Sequence, residues 1–115
     1  MLQHIDDDTR IDACCLAPEV QTLRQHLVAS REMLMALADP ARQDLVQLLA
    51  RGERNVSEIV AHISLSRPTV SHHLGVLRRA GLVRARKQGK EVFYRLDKAR
   101  ITRTLEGLLE SLNCC

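Results

Sequence analysis

The chain has 115 residues and a formal net charge of +3, and its apolar residues are mostly aliphatic, with one Phe, one Tyr and no Trp. A chain of this length is expected to form one domain with a modest core, for which a dimer is a natural way to bury more surface. No stretch approaches the roughly 20 apolar residues of a membrane span, and the opening "MLQHIDDDTR" lacks the apolar run of a signal peptide, so we expect a cytoplasmic protein without a membrane partner. In that compartment thiols stay reduced, and cysteines act as ligands or redox sensors before they act as structural cross-links.

Residues 1–17 are polar, carry an acidic run at Asp6, Asp7 and Asp8, and are expected to be a mobile segment. Pro18 suits the first turn of a helix. Val20, Leu23 and Leu27 recur at helical spacing and predict a helix from about Pro18 to Ser30, followed by a short apolar turn at Met33, Leu34 and Leu37. Asp39 before Pro40 reads as an N-cap and first helical position. Ala41, Leu45, Leu48 and Leu49 supply the buried stripe of this second helix, and Gly52 ends it. In "NVSEIVAHI", Val56, Ile59, Val60 and Ile63 predict a short amphipathic helix, with Ser57 as a capping residue.

After the turn "SLS" comes "RPTVSHHLGVLRRAG". Ser66 is an N-cap, and Pro68 is tolerated only in a first turn, which fixes the start of this helix. Val70, Leu74 and Leu77 face inward, and Gly81 stops it. Beyond Gly81 the period changes from helical to alternating. "LVRARKQGKEVFYRL" predicts two strands around a turn at Lys87 to Lys90. Finally Ile101, Leu105, Leu108, Leu109 and Leu112 form one apolar stripe on a helix from about Lys98 to Asn113.

The charge is unevenly placed. From Ser66 to Arg103, eleven Lys and Arg face two acids, Glu91 and Asp97, whereas the remainder holds six basic residues against twelve acidic ones. Such a basic half suits a polyanion partner. The order helix, turn, helix, basic hairpin is that of a helix-turn-helix followed by a wing. A second helix of about 20 Å is long enough to lie in a major groove. Ser66, Arg67, Thr69, Ser71, His72 and His73 stand at its start as candidate contacts to base edges and phosphates. In the wing, Arg84, Arg86, Lys87, Lys90 and Arg95 are candidates to follow the DNA backbone, with Gly89 allowing close approach. Either motif alone is also a common packing unit or a solvated edge; together they point to DNA. The remaining His4, His26 and His62 read as surface or packing residues.

The segments "LADPARQDLVQLLARGE" and "VSEIVAHISLSRPTVSHHLGVLRRAGLVRARKQGKEVFYRL", with the closing helix, resemble the ArsR/SmtB family of bacterial winged-helix repressors over about Met33 to Leu112. The resemblance implies a mainly α fold with a small β-hairpin: a winged helix-turn-helix domain at 18–113, dimerising through its first and last helices. It implies a homodimer on an imperfect inverted repeat in promoter DNA, released when a metal ion, metalloid or oxidant alters the dimer.

The family's known effector sites are not all present. The cysteine box of its arsenic sensors would fall in "NVSEIVAHI", which has no cysteine, and no His follows Asp97 as its zinc site requires. Nor does the segment Asp39 to Arg51 hold the cysteine of its redox and sulfide sensors. All four cysteines lie in two adjacent pairs, Cys14 with Cys15 and Cys114 with Cys115. Neighbouring thiolates suit thiophilic ions. We expect As(III) or Sb(III) as effector, bound by cysteines of both pairs, with the first and last helices of opposite subunits bringing them together. Hg(II) or another soft metal, and a disulfide-forming redox switch, are the alternatives. A redox or metal-trafficking protein built on this fold is the non-regulatory rival. No Ser-His-Asp set, glycine-rich phosphate loop or CxxC motif appears, so no enzyme and no catalytic cofactor are expected.

Overall fold

Helix α1 runs Pro18–Leu37 in the computed structural model, which describes residues 18–113, with side chains from Leu23 onward. The segment 1–17 and all four cysteines lie outside the described residues. α1 is one helix of 20 residues, where a shorter helix and a separate apolar turn were expected. No Gly or Pro interrupts Ser30 to Leu37, and the Ser30 hydroxyl stays inside the helix by donating to the carbonyls of His26 and Leu27, at 2.8 and 3.2 Å.

Asp39 starts helix α2 (Pro40–Leu49) by accepting from the backbone N–H groups of Ala41 and Arg42. The side chains of Arg42 and Gln43 reach back to the Ala36 and Leu37 carbonyls, both at 2.7 Å. They thereby satisfy two of the last carbonyls of α1, which have no partner inside the helix. A two-residue strand, β1 (Arg54–Asn55), follows and was not expected. Helix α3 (Val56–His62) is capped by Asn55, not by Ser57. The Asn55 side chain accepts from Glu58 N–H at 2.8 Å while the Glu58 carboxylate accepts from Asn55 N–H at 2.9 Å, a reciprocal box.

Helix α4 (Arg67–Arg79) has the predicted limits, with Ser66 as N-cap. Its end is closed by Gly81 at φ +84°, with Leu82 N–H donating to the Leu77 carbonyl and Gly81 N–H to that of Arg78. This is a Schellman stop, which needs a left-handed residue. Strands β2 (Val83–Gln88) and β3 (Glu91–Leu96) pair antiparallel, and β1 adds to β3, giving the order β1-β3-β2. The hairpin turn is tighter than expected, at Gly89 and Lys90, with Gly89 at φ +64°. Helix α5 (Lys98–Asn113) closes the described chain.

Arg31–Thr102 forms one compact unit; the described residues before and after it form another. The core of the first unit is aliphatic. Leu45, Ile59, Val70, Leu74 and Leu77 have no exposed surface, and Met33, Leu49, Leu82 and Val83 have almost none. Each such side chain contributes about 1.5–3 kcal/mol by leaving water. In the second unit α1 and α5 touch through a polar contact: His26 Nδ1 lies 2.6 Å from the hydroxyl of Ser111, a buried residue. Gly107 permits this, because a Cβ there would stand 2.8 Å from His26 Nε2. The stripe predicted on α5 is only partly covered: Leu109 and Leu112 are exposed, as are Leu27, Val28, Leu34 and Met35 on α1.

Leu74→Ala is expected to lower stability by about 2–5 kcal/mol, read as a fall in the urea midpoint with the slope unchanged. A loss below about 1 kcal/mol would show that the inner face of α4 does not carry the core.

Candidate nucleic-acid interface

Three fully buried residues on α4, Val70, Leu74 and Leu77, leave its other face outward. Not all the polar residues at its start are free. The Ser66 hydroxyl caps the helix, accepting from Thr69 N–H at 3.4 Å and donating to Thr69 Oγ1 at 2.9 Å. The Thr69 hydroxyl is thereby left with its proton to donate. Arg67 donates through Nη2 to the Ser57 hydroxyl at 2.8 Å, tying the start of α4 to α3. Ser71 and His72 are exposed. His73 is half-buried, with Nδ1 3.3 Å from Arg42 Nη1. Burial pushes the Asp39 carboxyl up, but the N–H groups of Ala41 and Arg42 and the charge of Arg42 outweigh it, leaving the pKa below its ordinary value.

The wing divides into neutralised and free cations. Arg86 holds Glu53 through two N–H donors, at 2.6 and 3.1 Å, also donates to the Gln88 side chain, and lies 5.0 Å over the Phe93 ring. The bonded Arg86 guanidinium holds the Glu53 carboxyl below the usual range, against the opposing effect of burial, and Glu53 in turn raises Arg86. Arg84 and Arg95 stand directly opposite each other on β2 and β3. Like charges so placed repel. With Arg51 and Lys98 they line a groove of about 430 Å³ at the base of the hairpin. Among the described residues, Arg84, Lys87, Lys90 and Arg95 have no ion-pair partner.

Sequence reasoning missed the Arg42–His73 and Glu53–Arg86 pairs, which join residues 31 and 33 positions apart with no local pattern to announce them. It also missed Asn55, whose signal was available: Asn three residues before Glu is a capping pattern. Among the described residues no group of three or more His, Cys, Asp or Glu is placed to hold a metal ion, and no helix is long and apolar enough to cross a membrane.

A capped helix-turn-helix followed by a hairpin bearing unpaired cations defines a winged helix-turn-helix, a DNA-binding fold. The sequence pattern described as "Bacterial regulatory protein, arsR family" matches residues 39–85. A "Biofilm growth-associated repressor" of Xylella fastidiosa is 36% identical over 108 residues, 94% of this chain and 90% of the relative. One of the same description from Agrobacterium fabrum is 45% identical over 76 residues, 66% of this chain; the chain spans 65% of that relative's length. The crystal structure of the transcriptional repressor BigR from Xylella fastidiosa aligns over 93% of both chains with a TM-score of 0.56 and 34% identity. The chain belongs to the ArsR/SmtB family: it is a DNA-binding transcriptional repressor and not an enzyme.

The pairing pattern sets how salt acts. Each phosphate contact contributes about −0.9 to the slope of log K against log salt on duplex DNA. Lys87→Ala and Lys90→Ala should each flatten that slope by about 0.9, Arg86→Ala should leave it nearly unchanged, and Glu53→Gln, by freeing Arg86, should steepen it by about 0.9. Equal effects of Arg86→Ala and Lys87→Ala would show that the Glu53 pair opens on DNA.

Proposed function

We propose that the chain acts as a homodimer whose two α4 helices read an inverted repeat in promoter DNA, and that As(III) or Sb(III), bound by thiolates of Cys14, Cys15, Cys114 and Cys115, releases it. The dimer is supported by the apolar residues left on α1 and α5, where Leu27, Val28, Leu34, Met35, Leu109 and Leu112 are 46–65% exposed. Exposed apolar groups of this size mark interaction surfaces. Two copies would set their α4 helices about 34 Å apart, one turn of DNA.

The observation that carries the effector half is the contact of α1 with α5. Pro18, where α1 begins, comes three residues after Cys15, and Ser111, which touches His26 of α1, comes three before Cys114. The two helices that the cysteine pairs flank are therefore in touch within one chain, which favours a site closed inside a subunit over the expected one between opposite subunits. The family's cysteine box, zinc site and redox cysteine are incomplete here, so the terminal thiols are the soft ligands the chain has.

Trivalent arsenic takes three thiolates in a pyramid, each replacing a hydroxide of As(OH)3 as the thiol proton leaves with it as water. One pair supplies two neighbouring sulfurs and the other pair the third. Cys14 and Cys15 precede a helix N-terminus, which favours thiolates, whereas Cys114 and Cys115 follow a C-terminus, which disfavours them. Binding therefore begins at the first pair and is closed by the second.

Coupling of this kind is typically about 1–3 kcal/mol, a 5- to 150-fold loss of DNA affinity, and operator DNA weakens metalloid binding by the same factor. The test is a gel-shift titration with As(III), Sb(III), Hg(II), Zn(II) and diamide under controlled reductant. As(III) or Sb(III) should release the DNA, and Cys14→Ser should abolish that response. Release by diamide with no response to metalloid would make the protein a disulfide switch, and release by Hg(II) alone would make it a mercury sensor.

A further inference from the structure

Arg42 lies on α2, yet its guanidinium joins three elements. Nε donates to the Ala36 carbonyl at the end of α1 at 2.7 Å, and Nη1 lies 3.7 Å from Oδ2 of Asp39, the N-cap of α2. The same Nη1 lies 3.3 Å from His73 Nδ1 on α4. The Arg42 side chain is only 16% exposed. A guanidinium is planar, with its donors in a rigid fork, so holding two of these partners fixes the direction offered to the third.

Elementary donor chemistry orients this contact. Arg carries donors only and keeps its charge. His73 Nδ1 must therefore accept, and it can accept only without a proton. A neutral imidazole with a bare Nδ1 carries its proton on Nε2. An unconstrained ring exchanges its donor and acceptor sites and cannot tell a base-edge acceptor from a donor. A ring held in one tautomer offers a donor at Nε2, matched to the acceptors of the major groove: N7 and O6 of guanine, N7 of adenine, O4 of thymine.

We propose that Arg42 is a positioning residue for base reading: it locks His73 as an Nε2–H donor and ties that donor to the last turn of α1. The proposal rests on the outer face of α4 being the reading surface. It also gives α1, the helix that follows Cys14 and Cys15, a direct mechanical link to α4. A shift of its last turn moves the Ala36 carbonyl, and through one rigid group, His73.

The test uses the full reduced chain. Long-range ¹⁵N–¹H imidazole spectra of the wild type should show His73 with a proton-free Nδ1 and a protonated Nε2. Arg42→Met removes the donors at similar length, and Arg42→Gln serves where the Met variant does not fold; the folded variant should show mixed tautomers. A duplex is recovered from a random-sequence library with the wild type, and affinity for it is compared with affinity for mixed-sequence duplex. That ratio should fall roughly 2- to 13-fold in the Arg42 variant, the fold-change equivalent of one net hydrogen bond. In a His73→Ala background the same Arg42 change should cost nothing more.

A protonated Nδ1 in the wild type, an unchanged ratio, or an equal further loss in the His73→Ala background would each overturn the proposal. If the wild type recovers no duplex, base reading by α4 falls and the proposal falls with it. If it recovers one that the Arg42 variants read equally well, base reading stands and only the role of Arg42 is lost.

Discussion

The inner seam of α4 is the constraint on which the remaining features depend. Val70, Leu74 and Leu77 are wholly dry, so the helix cannot roll without putting at least one of them into water. It is pinned at its start by Ser66 and Pro68 and at its end by the Gly81 stop, so it cannot slide either. Roll and register are thus set by packing, and the outward direction of Ser71 and His72 follows. The outward face of α4 is what is left over once the core is satisfied.

Electrostatics then select among the outward cations. A count of positive charge in the wing treats Arg84, Arg86, Lys87, Lys90 and Arg95 alike, but the structure does not. Arg86 has already found its anion in Glu53, and its ring-stacked guanidinium braces the hairpin against the loop before β1. Arg84 and Arg95 face each other across the ladder, and like charges so placed repel, an effect that a polyanion eases. The basic half therefore contains both a structural arginine and, among the described residues, cations without an ion-pair partner.

Much of this was legible in the sequence. The limits of α4 could be read because Ser66, Pro68 and Gly81 act through backbone geometry that depends on nearest neighbours alone. The last helix and the two longer strands were legible through period. The length of α1 was not, because Ser30 reads as a stop when its hydroxyl in fact bonds back into its own helix. The β1 strand was not, because two residues carry no period; they pair only because β3 is already there. Within the candidate site, identity was legible and availability was not. Whether Arg86 or His73 is free depends on partners brought close only by the fold.

On this account the outer face of α4 and the free wing cations meet DNA, and α1 and α5 carry the dimer and the effector response. The most direct test is amide hydrogen exchange of the reduced protein, with and without a duplex recovered from a random-sequence library. The account predicts new protection over Ser66 to His73 and over the hairpin turn at Gly89 and Lys90, with none gained along α2. Protection gained along α2 or α5 while the start of α4 is unchanged would contradict it.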